Sequence, residues 1–94
     1  MINVNEEDFD ALCICAIRYC MGRQTYMPTM VRNICTAHIG DFEDRTLRVM
    51  LNDCEEQEAN NNYGNKTIDK PGWLKWRDTL NAELRRRKDD TGRN

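Results

Sequence analysis

The sequence predicts an all-α protein, a compact bundle of about four helices forming one domain over residues 1–94. Three observations carry this. Apolar residues recur at helical spacing along most of the chain, and alternation with a period of two never lasts beyond a few residues. Asn, Asp, Pro and Gly also fall where helix ends call for them. A chain of 94 residues has room for a single core.

The first helix opens at Asn5, an N-cap followed by the acidic turn Glu6 to Asp8. Phe9, Leu12, Cys13, Ala16, Ile17 and Cys20 form its apolar stripe, Ile14 and Met21 widen it, and Gly22 stands where a left-handed stop belongs. Residues 22–27 are a short connection. Pro28 suits the first turn of a second helix, where its missing N–H costs nothing. Met30, Val31, Ile34, Cys35 and His38 give that helix its apolar face, and Gly40 ends it. Asp41 or Glu43 opens a third helix with Leu47, Met50, Leu51 and Cys54 inward, running into the solvated acids Glu55, Glu56 and Glu58. Asn60 to Asn65 reads as a loop. Asp69 caps the last helix, Pro71 lies in its first turn, and Ile68 staples to Trp73. Trp73, Trp76, Leu80 and Leu84 form the last stripe, and residues 88–94 are expected to fray.

Composition narrows the chemistry. Leu, Ile, Val and Phe number only 17, a thin supply that predicts completion by self-association into a homo-oligomer. No apolar run approaches the ~20 residues of a membrane helix. The N-terminus is acidic where an export signal needs positive charge. The chain is therefore expected to be cytoplasmic, with its five cysteines reduced and used as small hydrophobes. It contains no serine, which excludes a serine nucleophile, and its single histidine, His38, excludes a multi-histidine metal site within one chain. Cys35 and His38, three residues apart, are a weak metal spacing without a Cys-x-x-Cys partner and a poor geometry for nucleophilic attack. The expectation is a binder that uses no cofactor and no metal, not an enzyme.

The formal charge of -2 conceals strong segregation. Residues 1–10 carry -4, residues 11–40 carry +3, residues 41–60 carry -5 and residues 61–94 carry +4. Arg18, Arg23 and Arg32 occur in a stretch without one acid. With the first two helices antiparallel, Arg18 and Arg23 meet Tyr19, Thr25, Tyr26 and the free N–H groups of the second helix. Together these offer a seat for a phosphate or carboxylate. The competing use of such arginines is pairing with an acid on another helix. Arg85, Arg86, Arg87 and Lys88 complement the end of the last helix better than they serve a nucleic acid, because Asp89 and Asp90 follow at once. An exposed second helix could place Arg32, Asn33 and His38 in a DNA groove, against which the acidic flanks argue.

The segment Arg18-Tyr19-Cys20-Met21-Gly22-Arg23-Gln24-Thr25-Tyr26 resembles small proteins of Firmicutes phages and prophages with the signature R-Y-x-x-G-R-x-T-Y. The likeness continues through a short apolar helix, an acidic helix from Arg45 to Glu58, a Gly/Asn loop and a Trp-containing last helix. Cys20 departs from it where alanine is commoner. The resemblance implies a phage origin and a non-enzymatic counter-defence role in a bacterial host cell. Two forms of that role are open. One is sequestration of a nucleotide immune signal, with Arg18, Arg23 and Thr25 on phosphate, Tyr19 and Tyr26 on bases, and Arg32 as a further ligand-binding residue. The other is binding to a host defence protein, in the manner of an anti-CRISPR, through the acidic surface at residues 41–58.

Overall fold

The structure is a computed structural model that describes residues 4–21, 26–59 and 70–92. All regular structure among these is helical: α1 (Glu6–Cys20), α2 (Tyr26–Ala37), a 3-10 turn (Ile39–Asp41), α3 (Asp44–Ala59) and α4 (Lys70–Gly92). Asn5 caps α1 as its sequence position predicts, its Oδ1 accepting from the Asp8 amide at 2.7 Å. Gly22, the Asn60–Asn65 loop, Ile68 and Asp69 lie outside the described residues.

Each helix packs against two others, α1 on α2 and α3, and α4 on α3 and α2. The result is a flat molecule measuring 45 × 37 × 17 Å. Trp73, Trp76 and Leu80 of α4 meet Ile17, Leu47, Met50 and Phe42 at its centre. Cys13, Cys20, Cys35 and Cys54 fill the remaining space, so four of the five free thiols serve as small core residues. Burial pushes the thiols of Cys35 and Cys54 up to about 12.

Two buried polar clusters tie the helices together. Asp10 of α1 reaches the start of α3, where its Oδ2 accepts from the Glu43 amide at 3.1 Å and from Thr46 Oγ1 at 2.6 Å. The third helix is thus capped from another helix. From α4, Glu83 accepts from Arg86 at 2.6 Å and Arg87 at 2.8 Å, while Arg87 also reaches Asp44, again at the start of α3, at 2.7 Å and the Ile39 carbonyl at 3.2 Å.

Four local features depart from expectation. Leu12 faces outward, 61% exposed. The second helix is rotated from its apolar periodicity: Pro28, Arg32 and Cys35 are buried and Ile34 is exposed. This rotation brings the Arg32 guanidinium over the Trp73 ring, 4.5 Å from its centre, a cation–π contact that an aliphatic side chain could not make. Between α2 and α3 the chain makes a 3-10 turn through Gly40. Finally, α4 runs to Gly92 through most of the segment expected to fray, with Arg86 and Asp90 paired across one turn at 2.9 Å.

Candidate anion-binding site

The acid-free stretch contributes only part of the site expected of it. Arg18 lies near the C-terminus of α1, and its Nε donates to Asp53 Oδ2 of α3 at 2.7 Å. This hydrogen bond first, and the Asp53 charge second, hold its guanidinium firmly protonated. The interhelical pairing weighed against an anion site is therefore present. Arg18 nonetheless remains 59% exposed against 12% for Asp53, so the aspartate anchors a guanidinium whose outer edge meets solvent. Tyr19 and Tyr26 are 71% and 75% exposed. Arg23 and Thr25 lie outside the described residues.

Arg32 does not join Arg18. It is 8% exposed, donates from Nη2 to Thr29 Oγ1 at 3.4 Å and packs on Trp73, beside a groove between α2 and α4. Its surroundings make it a core residue. Of the three side chains proposed to read DNA from this helix, only Asn33 and His38 remain exposed.

The structure surrounds Arg18 with residues that the sequence reading left aside. Arg45, Arg48 and Asn52 stand at i, i+3 and i+7 along the outer face of α3. With Arg18 and Val49 they line an open groove of about 450 Å³ between α1 and α3. The lining contains three guanidinium groups, a carboxamide and no carboxylate. Arg45 and Arg48 make no ion pair among the described residues, and both are exposed. Arg48 also borders a second groove of about 820 Å³ between α3 and α4, shared with Asn81, Arg85 and Lys88. That groove includes Asp44 and Arg87, which pair with each other.

Further along α3 the sign reverses. Glu55 and Glu56 are exposed, and Glu58 pairs with Arg77 at 2.8 Å. The net charge of -5 over residues 41–60 therefore divides unevenly, into -1 over residues 41–50, where Arg45 and Arg48 stand, and -4 over residues 51–60. The spacing of Arg45, Arg48 and Asn52 was the signal available in the sequence; averaging charge across the segment hid it.

Cys35 and His38 diverge. The Cys35 thiol shares a hydrogen bond with Cys13 in the core, whereas His38 is exposed, lies edge-on to Phe9 at 5.4 Å and contacts Asp41 at 3.3 Å. The described residues include no cluster of three metal-ligating side chains, and no described helix is long and apolar enough to cross a membrane. Comparison with protein families, curated proteins and solved structures finds no match for the chain.

Proposed function

We propose that the protein is a non-enzymatic binder that sequesters a phosphate-bearing nucleotide in the groove between α1 and α3. The observation that carries this reading is the convergence of Arg18, Arg45 and Arg48 on one groove with no acid in its lining. Guanidinium groups match phosphate oxygens in a two-pronged geometry, and three of them suit more than one phosphate oxygen at a time. Asn52 adds an amide that can donate to a ribose hydroxyl or a base edge. Asp53 holds Arg18 in place before the ligand arrives, which lowers the ordering cost of binding. A phage counter-defence role, in which capture of the nucleotide silences a host immune signal, fits such a binder and keeps Arg18 at its centre.

Calorimetry against a panel of linear and cyclic nucleotides, with inorganic phosphate as the minimal probe, tests the reading. Arg45→Ala and Arg48→Ala should each weaken binding about tenfold or more, the loss of a charge-assisted hydrogen bond. Absence of heat across the panel, or wild-type affinity in both variants, overturns it.

A second reading has one observation in its favour. Exposed Glu55 and Glu56 on the acidic half of α3 present the charge pattern needed to engage a basic surface of a host defence protein. A pull-down from host lysate that recovers one protein, and loses it on Glu55→Lys/Glu56→Lys, would select this reading over the first.

A further inference from the structure

The basic run near the end of α4 divides in two. Arg86 and Arg87 are taken up by Glu83, Asp90 and Asp44. Arg85 and Lys88 are exposed, make no ion pair among the described residues, and border the groove between α3 and α4. With Asn81 they stand at i, i+4 and i+7 on one face of α4. Arg48 lines this groove and the groove between α1 and α3 alike. The two grooves therefore share one arginine and have the same make-up. Each has cationic groups in excess of acids, one carboxamide (Asn52 or Asn81) and one half-buried aliphatic side chain (Val49 or Leu84). The one acid in either lining, Asp44, is paired with Arg87 at 2.7 Å.

We propose that the two grooves are consecutive subsites for a short single-stranded oligonucleotide that crosses α3 over Arg48, with a phosphate in each groove. This rests on the reading of the α1/α3 groove as a phosphate site and specifies the ligand that it takes. Three observations select an oligonucleotide. First, neighbouring helices pack with axes about 8–10 Å apart, so grooves on either side of α3 are further apart than one phosphate group reaches. Second, Arg18, Arg45, Arg48, Arg85 and Lys88 supply more positive charge than the charge of about -2 on a single phosphate can use. Third, an amide and an aliphatic surface beside each cationic cluster suit a chain that alternates phosphates with sugars and bases. An inorganic polyphosphate or a run of carboxylates would leave them unused. Acids set the length. Glu7 and Glu43 stand beside Arg45, Glu56 stands beside Arg18, and Asp89 follows Lys88. A phosphate chain continued past these points meets like charge, which confines the ligand to a few nucleotides.

Calorimetry on the full chain with thymidylate and uridylate series, from the mononucleotide to the octanucleotide, tests this. Inorganic tripolyphosphate and an oligoglutamate serve as competing polyanions. Affinity should rise at least about tenfold from the mononucleotide to the tetranucleotide and then level off. The slope of log affinity against log salt should steepen by about 0.7 for each further phosphate neutralised. Arg85→Ala/Lys88→Ala, at exposed positions, should bring the tetranucleotide down to the affinity and salt slope of the mononucleotide, with the helical circular dichroism signal unchanged. Equal affinity and slope at every length overturn the proposal and leave the single-nucleotide reading in place, whereas absence of binding at every length overturns both. A rise with length that the double variant retains puts the added phosphates outside the α3/α4 groove and overturns it too. So does tripolyphosphate or oligoglutamate that binds as tightly as the tetranucleotide.

Discussion

The Arg32 guanidinium lies 4.5 Å from the centre of the Trp73 ring, and this contact joins α2 to α4 in the core. It explains why α2 turns an arginine inward and Ile34 outward. A stacked, desolvated cation–π pair contributes about 2 kcal/mol, enough to set the rotation of a short helix. Arg32→Ala should therefore destabilise the fold by about 2 kcal/mol, read from the midpoint of chemical denaturation. Arg32→Lys should recover only part of that loss, because an ammonium cannot stack as a planar guanidinium does. Neither variant should change nucleotide affinity in the groove between α1 and α3. A large loss of affinity with unchanged stability would return Arg32 to the binding site.

The Asp10 carboxylate makes a different prediction. It takes the place of an N-cap for α3 while belonging to α1, accepting from the Glu43 amide and the Thr46 hydroxyl. Asp10→Ala leaves both donors without that acceptor in a buried place, at a cost of about 1–2 kcal/mol. Thr46→Val removes one donor and should cost less. The double variant should cost less than the two single losses together, since both remove one shared hydrogen bond. A thermodynamic cycle of urea denaturation curves checks this; strict additivity would contradict the shared bond.

These two residues also mark how much of the fold was legible in the sequence. The local signals were reliable where one helix decides its own outcome. Asn5 caps α1, Pro71 enters the first turn of α4, and the Trp73, Trp76 and Leu80 stripe is buried. Where a partner helix decides, periodicity alone failed. Arg32 goes inward because Trp73 is there to receive it, and Asp10 caps a helix more than thirty residues away in sequence. The candidate site follows the same division. Arg18 was legible, because no acid lies near it along the chain. Arg45 and Arg48 were not, because their sequence neighbours are acidic while their spatial neighbours across the groove are Arg18 and Asn52. The 3-10 turn at Ile39–Asp41 was read simply as a helix end, since Gly40 permits either outcome.

Acid should weaken the fold through Glu83. Its carboxyl is held at about 2, below the ordinary 4.5, first by the hydrogen bond from Arg86 and then by that from Arg87, with burial opposing both. A carboxylate depressed in the folded state adds stability that is fully present above the unfolded value and lost as pH falls through the folded one. Stability should therefore decline from about pH 4.5 towards pH 2, as measured by denaturation at a series of pH values. Glu83→Gln should lower stability at pH 7 by about 2 kcal/mol and flatten that acid limb. An unchanged limb in the variant would remove Glu83 as its source.

The thiols should divide by burial. Cys35 and Cys54, held at about 12, and Cys13, also pushed up by burial, are covered and protonated near neutral pH, and Cys20 is buried with them. Cys15 is exposed on α1. Native protein treated with a thiol-reactive disulfide at pH 8 should release one equivalent rapidly, and the remaining four only on unfolding. Peptide mapping should place the fast reaction at Cys15. Rapid modification of Cys35 would contradict its position in the core.

The groove between α1 and α3 carries a cost in the empty protein, because Arg18, Arg45 and Arg48 repel one another there and Arg45 and Arg48 have no acid partner among the described residues. Substituting either with glutamine should leave stability within about 0.5 kcal/mol of wild type or raise it slightly, the usual range for a surface position. The response to ligand should change in the opposite sense. A ligand that binds only the folded chain raises its stability according to the ratio of concentration to dissociation constant, about 2.7 kcal/mol at a hundredfold excess. Nucleotide or inorganic phosphate should thus raise the melting temperature of the wild type, and salt should suppress the effect by screening the arginines. Arg45→Gln/Arg48→Gln should melt near the wild-type temperature without ligand and show little of the rise with it. A double variant that is strongly destabilised without ligand would mean that these arginines serve the fold, and an undiminished rise would place the anion elsewhere.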